Sequence, residues 1–472
     1  MKRTIFILCF GWLYITSLAQ TTDTRPNIIY IFTDQQHANM MSAAGNPWLE
    51  TPAMDYLAEN GIRFTRAYTT NPVCVPYRVS MMSGRFPSAF RDKNGDVVRS
   101  NRMAGSIPSI SEEQAKTTLA AHMKKSGYNL IYGGKEHLPK PLRPAEQGFT
   151  DISDDERFSL ALTAADYIKR DHEKPYFMII SLINPHDICY MGIRDFASTP
   201  FDSLLVRKGV KEIEALDWAL EKPAGMSDEE FFASYCPPLP PNYEIQEDEP
   251  EAIKALINGR PFRKKMREQY SEEQWRMHRY AYARLTERVD AQVQIILDAL
   301  KSSGKEENTL VMFSSDHGDN DASHRMEHKT TLNEESANIP FLAMWKGHIP
   351  PGQVDSVSLI SNGIDFLPTV CDFAGIKGKA DPRGRSLRLL FSGNREGWRE
   401  TLGVESNVGR MVVHEDGYKY IEYDLEENEV QLLDLNLDPY ETRHFTDSKE
   451  HQDILKQLEK EFEKVWFSEP GR

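Results

Sequence analysis

Residues 71–85 read Asn-Pro-Val-Cys-Val-Pro-Tyr-Arg-Val-Ser-Met-Met-Ser-Gly-Arg. Pro76 fixes its own φ and biases Val75 away from helix. From Tyr77 to Ser83 the chain can begin a helix, with Arg78 one turn beyond Cys74. That puts a thiol at a helix N-terminus beside a guanidinium, and both features stabilise an anion. A lone cysteine in a turn is ordinarily a buried packing residue. Its chemistry here depends on what the rest of the chain brings to it.

Four other segments bring polar groups to the ends of strand-like runs. Residues 27–32 are continuously apolar and β-rich, the pattern of a strand buried on both faces of a parallel sheet. Asp34 and Gln35 follow, at the end where open α/β sheets bind ligands. A carboxylate followed by an amide oxygen suits a hard cation such as calcium, although an aspartate after a strand is commonly a helix cap. Residues 129–132 lead into Gly133, Gly134, Lys135, Glu136 and His137. The glycines allow close backbone approach, and Lys135 and His137 share one side if the chain stays extended. Residues 175–182 lead into Asn184, Pro185, His186 and Asp187. Residues 309–315 lead into Asp316, His317, Gly318 and Asp319, with His324, His328 and Lys329 further on.

The spacing Cys-x-Pro-x-Arg at 74–78, followed by Ser80 and Gly84-Arg85, resembles the signature of type I sulfatases. In that family the cysteine is oxidised to formylglycine by a dedicated maturation enzyme. The resemblance extends along the chain. Asp34-Gln35 is similar to the first metal segment, where many members carry two acids. Gly134-Lys135-Glu136-His137 resembles a Gly-Lys-x-His element, and Pro185-His186 a Pro-His element. Asp316-His317-Gly318, Lys329 and the run Glu335-Ser336 to Pro340 resemble the last motif. The resemblance implies a Ca²⁺ site of Asp34, Gln35, Asp316, His317 and the modified residue 74. It implies that the hydrated aldehyde attacks sulfur, with His137 and Arg78 holding and deprotonating it. Lys135 and Lys329 would hold sulfate oxygens, and His186 would protonate the leaving oxygen.

The elements that must position these groups imply an α/β protein. We expect a large, mostly parallel mixed sheet flanked by helices over residues 20–374, and a smaller antiparallel-sheet subdomain over 375–472. Expected helices span 51–61, capped by Thr51 and ended by Gly61, as well as 111–126, 271–303 and 454–466. One strand is expected over 64–69. Short strands recur over 403–406, 410–414, 418–423 and 431–434. Residues 190–270, with a proline-rich stretch at 236–241 and acids clustered at 244–251, read as an insertion over the site that carries specificity.

The net charge of −15 over 472 residues argues against broad binding to nucleic acid or anionic membranes. An anionic substrate then needs a local basic pocket, which Arg78, Lys135, His137, His186 and Lys329 supply. Residues 1–19 combine Lys2 and Arg3, an apolar run and Ser-Leu-Ala, which reads as an export signal to a periplasm or the exterior. No other stretch is long and apolar enough to span a bilayer. Cys9 leaves with that signal. Cys189, Cys236 and Cys371 remain beside Cys74, so no disulfide framework is indicated.

Two enzyme readings and one non-enzyme reading follow. The first is a sulfatase acting exolytically on sulfated oligosaccharides. The Asp34-Gln35 and Asp316-His317 pattern is similar to gut Bacteroidetes members that remove 2-O-sulfate from uronic acids of heparin or chondroitin. The alternatives for its substrate are a 6-O-sulfate on N-acetylglucosamine or galactose, or a small aryl sulfate. The second is a phosphatase or phosphonate hydrolase of the same superfamily, which usually carries Ser or Thr as nucleophile. The third is a secreted glycan-binding protein that has lost catalysis. A uronate carboxylate would need a cationic partner, for which residues 99–102 and 260–265 are candidates.

Overall fold

The computed structural model describes residues 25–157, 159–378, 380–425 and 429–467. The expected export signal and Cys9 lie outside the described residues. Apolar strands buried on both faces assemble an eight-stranded sheet. Its order is Thr150–Ser153, Asn129–Gly134, Tyr176–Pro185, Asn27–Asp34, Thr309–Ser315, Phe341–Met344, Ile62–Phe64 and Gln353–Asp355. The first five are parallel, Phe341–Met344 runs against its neighbours, and the last pair is parallel again. Every residue of Asn27–Asp34, Tyr176–Pro185 and Thr309–Ser315 is buried. This is why these strands read as unbroken apolar runs rather than alternating ones.

Helices cover both faces. Pro52–Glu59, Leu160–Lys169 and the second half of Glu272–Ser302 pack on one side. Cys74–Ser83, Leu119–Lys125 and Asn362–Phe373 pack on the other. The helix Glu272–Ser302 spans 31 residues and opens with a reciprocal Ser271–Gln274 capping box. A four-stranded antiparallel sheet follows, Thr401–Glu405, Gly409–His414, Tyr418–Tyr423 and Val430–Asp434, with Gln452–Trp466 packed on it. Among the described residues no helix is long and apolar enough to cross a membrane. Cys74, Cys189, Cys236 and Cys371 are buried free thiols.

Several local expectations are corrected. Thr51 does not cap Pro52–Glu59, because its hydroxyl is engaged by Ser42. The amides of Ala53 and Met54 donate instead to Asp290 on the long helix, at 3.0 and 2.9 Å. Gly61 is needed for close approach rather than helix termination, since a Cβ there would stand 2.1 Å from the Ala343 carbonyl oxygen. The strand expected at 64–69 is two short ones, Ile62–Phe64 and Ala67–Tyr68, in different sheets. The helix expected at 111–126 is broken into Glu112–Lys116 and Leu119–Lys125, because Thr118 caps the second by accepting from the Ala121 amide.

The small sheet is tied to the segments that carry the site. The Glu405 amide donates to Thr70 at 3.0 Å, just ahead of Cys74. Ser406 Oγ donates to the Thr330 carbonyl, next to Lys329. Fully buried Lys419 donates to the Leu332 carbonyl at 2.8 Å and pairs with Glu334 at 3.1 Å and with Glu441. Removing one member of a buried ionic network strands the others. Lys419→Met is therefore expected to lower unfolding free energy by about 3–5 kcal/mol in denaturant titrations. A loss below about 1 kcal/mol would show that apolar packing alone holds the small sheet in place.

Candidate active site

The chemistry-bearing residues converge at the C-terminal ends of four adjacent parallel strands, as the open-sheet rule requires. Asp34 ends Asn27–Asp34. Lys135 follows Asn129–Gly134, His186 follows Tyr176–Pro185, and Asp316 and His317 follow Thr309–Ser315. Cys74 is the first residue of Cys74–Ser83, after extended Val73, and is fully buried. Its neighbours are Lys329 Nζ at 3.1 Å, His317 Nε2 at 3.2 Å and Asp34 Oδ1 at 3.6 Å. Arg78, one turn on, is also fully buried. It donates to Asp34 at 2.9 Å, Asp316 at 3.2 Å, Ser181 Oγ at 2.7 Å and the Lys135 carbonyl at 2.7 Å. Lys135 Nζ stands 2.7 Å from Asp34 Oδ2.

Three residues take positions that spacing alone does not give. His137 does not share a face with Lys135. The strand ends at Gly134, whose φ of 93° turns the chain, and His137 itself has φ 41°. His137 is exposed at the rim of the cavity above Cys74. A Cβ at Gly134 would meet the Ser181 carbonyl oxygen at 2.1 Å, so that turn depends on glycine. Gln35, at φ 76°, turns its amide oxygen to Lys329 Nζ at 2.6 Å and the Cys189 thiol at 3.0 Å. Its amide nitrogen donates to Asp319 at 2.6 Å. Arg78 is spent on the two carboxylates and two further acceptors rather than on Cys74.

A cavity of about 240 Å³ opens above Cys74. His137, His186 and Lys329 line it from the sheet side. Tyr190, Phe201, Arg260, Phe262 and Arg263, all within the 190–270 region, line it from the other. That region is largely helical, with six helices from Tyr190–Phe196 to Pro261–Gln269. It is fastened to the His186 loop by Arg157, which pairs with Asp187 at 2.7 Å and Glu212 at 3.0 Å. Asn101, Cys189 and His328 also border the cavity. His328 stands beside Lys329 in the sequence, whereas nothing in the sequence ties Asn101 or Cys189 to residue 74, since only the folded chain brings them there.

A profile of the sulfatase family matches residues 26–376. The chain belongs to the sulfatase family. A second profile, N-sulphoglucosamine sulphohydrolase C-terminal, matches residues 322–467 of this sulfatase. It is similar to a Delta 4,5-hexuronate-2-O-sulfatase of Bacteroides thetaiotaomicron, 26% identical over 94% of this chain and 89% of that protein. It is also similar to an N-acetylglucosamine-6-O-sulfatase of the same organism, 26% identical over 92% and 85%. The solved structure of a 2-O glycosaminoglycan sulfatase superimposes with a TM-score of 0.76 at 25% identity, covering 93% of this chain and 92% of that one. The protein is a sulfuric ester hydrolase.

Charge explains how the sulfatase tolerates so polar a floor. Burial alone would raise the Asp34 carboxyl, but the charges of Lys135, Lys329 and Arg78 outweigh it and hold it well below the usual range. Burial and the adjacent Asp34 charge push Asp316 up to about 7. Burial and Asp34 also act to raise the Cys74 thiol, yet Lys329, Lys135 and His317 hold it well below the ordinary thiol range. His186 is kept neutral by burial and by the two lysines, and its buried Nδ1 has no hydrogen-bond partner among the described residues.

The donor set fits a metal ion. The ligating atoms of Asp34, Cys74, Asp316 and His317 all lie within 4.8 Å of one another, and all four side chains are buried. His317 Nδ1 faces the Gly318 carbonyl at 2.9 Å, an acceptor only, so Nδ1 carries a proton and Nε2 is the nitrogen turned to the carboxylates. Burial opposes a charged ring, but Asp316 and Cys74 outweigh it and raise the imidazole, so a metal ion would take the place of the Nε2 proton. Arg78 is then the fixed countercharge beneath them. Arg78→Met is expected to lower the stability of metal-free protein by about 3–5 kcal/mol, because two buried carboxylates lose their partner. Calcium should recover part of that loss in thermal melts, through binding to the native state. Equal losses with and without calcium would contradict the electrostatic cause.

Proposed function

We propose that this sulfatase releases sulfate exolytically from glycosaminoglycan-derived oligosaccharides, taking the 2-O-sulfate of a terminal uronic acid in heparin- or chondroitin-type fragments. The observation that carries this reading is the cavity itself. It ends on Cys74 with Lys329 at 3.1 Å and is closed on the opposite wall by the 190–270 helices. A cavity of about 240 Å³ has room for one terminal sugar rather than for a chain passing through. The similar hexuronate 2-O-sulfatase and the 2-O glycosaminoglycan sulfatase structure favour the uronate. The similar N-acetylglucosamine-6-O-sulfatase supplies the alternative, a 6-O-sulfated amino sugar.

Asp34, Asp316 and His317 would hold Ca²⁺ together with residue 74, whose Sγ marks the position of a formylglycine oxygen. Oxygen-rich ligation favours calcium over softer-site metals. Gln35 would join them only if its amide oxygen left Lys329. Modified by its maturation enzyme and hydrated, residue 74 would supply a hydroxyl nucleophile aimed at sulfur. Lys329 and Lys135 would hold the sulfate oxygens and stabilise charge that grows in the transition state. Arg78 acts through Asp34 and Asp316, fixing their orientation. His186 is neutral in the absence of substrate. An anionic sulfate ester favours its protonated form, which then donates to the leaving oxygen. His137, at the rim, would act with Arg78 in holding and deprotonating the nucleophile. The protein would act after export, in a periplasm or outside the cell, where such oligosaccharides arrive.

Cys74→Ala is expected to abolish sulfate release while leaving thermal stability within about 1–2 kcal/mol, since the thiol supplies little core packing. Full turnover by that variant would overturn the nucleophile assignment. Asp316→Ala should lower kcat/KM by roughly a thousandfold, a transition-state effect of about 4 kcal/mol, with a smaller effect on folding. Active wild-type protein carrying stoichiometric zinc and no calcium in elemental analysis would refute the metal assignment. For the substrate, 2-O-sulfated unsaturated disaccharides and 6-O-sulfated monosaccharides should be assayed side by side. Release confined to the 6-O-sulfated set would exclude the uronate and leave the sulfatase identity intact.

A further inference from the structure

The wall of the cavity contributed by Pro261–Gln269 carries one arginine at its N-cap and one in its first turn, a turn that holds no acidic residue. Arg260 is the N-cap residue and Arg263 lies three positions on, the spacing that puts two side chains on one helix face. Both line the cavity that ends on Cys74. Arg260 is exposed at the rim, its guanidinium 5.0 Å from the centre of the Phe201 ring. Arg263 is half-buried, with its Nε shielded from solvent and unpaired. Neither guanidinium makes a hydrogen bond or ion pair with any described residue.

Arginines closer to the residue 74 centre and its supports are engaged. Arg78 pairs with Asp34 and Asp316, Arg157 with Asp187 and Glu212, and Arg267 with Glu249. Within 99–102, the other stretch the sequence offers, Arg99 pairs with Asp424, Asn101 Oδ1 accepts from the Val75 amide at 3.1 Å, and Arg102 is not among the residues that line the cavity. The carboxyl that acts most strongly on Arg263 is Glu327. Glu327 does not neutralise it. Burial pushes that carboxyl well above its ordinary range, and its Oε2 faces His328 Nδ1 at 2.6 Å. A guanidinium drawn partly out of water with its donors unmatched costs free energy until an anion arrives.

We propose that Arg263, with Arg260 at the rim, is the carboxylate clamp of the substrate site. It would hold the carboxylate of a terminal uronic acid while the sulfate of the same sugar lies on Lys329 above residue 74. The planar fork of arginine suits bidentate carboxylate binding. One ring carrying both groups is thereby fixed at two points, which orients the ester for attack. The clamp rests on the uronate reading given above and names the residues that enforce it. Lys135 and Lys329 are occupied by the residue 74 centre, so the second anion of the substrate requires cations of its own.

The test compares two substrates, a 2-O-sulfated unsaturated uronate disaccharide and its carboxyl-reduced counterpart. It is run on wild-type mature enzyme, Arg263→Gln and Arg263→Lys. The readout is the ratio of kcat/KM between the two substrates. Wild type should prefer the carboxylate substrate by roughly 10- to 100-fold, the span of one charged hydrogen-bonded pair. Arg263→Gln should collapse that ratio, chiefly through KM, and Arg263→Lys should retain part of it by keeping the charge without the fork. A wild-type ratio near one, or an Arg263→Gln variant that loses both substrates in parallel, would overturn the clamp while leaving a 2-O-uronate sulfatase in place. Failure of wild type on both substrates, with activity on 6-O-sulfated monosaccharides, would overturn the uronate reading and the clamp with it.

Discussion

Two carboxylates, Asp34 and Asp316, are packed with no water access at the ends of adjacent strands, and the architecture follows from keeping them there. Like charges at such range cannot both ionise unless cations compensate. The compensation comes from elements far apart in sequence. Arg78 arrives on the helix that begins at Cys74, Lys135 after a glycine turn, and Lys329 from the loop beyond the fifth parallel strand. Each cation is itself too costly to bury alone. The set is therefore mutually dependent, and a single ion placed between the carboxylates would offset both the burial and the Asp34 repulsion that raise Asp316.

The parallel sheet makes this assembly possible because it brings several strand ends to one edge of the layer. Residue 74 is then held from the other side. The helix that carries it packs on the sheet, and the segment leading into it is bonded to the small antiparallel sheet through Thr70 and Glu405. That sheet also holds Thr330, beside Lys329, through Ser406. The C-terminal sheet thus acts on the centre without contributing a side chain to it.

Much of this was legible from the residues. Continuous apolar runs identified the buried strands, and Cys74-x-Pro76-x-Arg78 identified a helix and its resemblance, although the helix begins at Cys74 rather than Tyr77, since proline is tolerated in a first turn. What failed did so where the backbone leaves regular structure. Lys135 and His137 look like partners on an extended strand, but Gly134 turns the chain ahead of them, His137 itself has a positive φ, and only Lys135 reaches Asp34. Gln35 reads as a metal oxygen, and its positive φ, which the sequence does not show, turns that oxygen to Lys329. Thr51 has the right type and position for a cap, and Asp290, more than 230 residues away, takes the role. Arg263 lies in a polar stretch like many others. Its unpaired state exists only once Pro261–Gln269 is folded against the cavity.

The account turns on one claim, that Asp34, Asp316 and His317 form a calcium floor beneath residue 74 with Arg78 as the fixed countercharge. A crystal structure of protein matured in its native host, grown with calcium and measured for anomalous scattering, tests it most directly. The account predicts a single ion with carboxylate oxygens of Asp34 and Asp316 at about 2.3–2.6 Å. It also predicts an oxygen of residue 74 on the ion, with Arg78 still on both carboxylates. An ion bound elsewhere, or Lys135 and Arg78 filling the space between the carboxylates at saturating calcium, would contradict it.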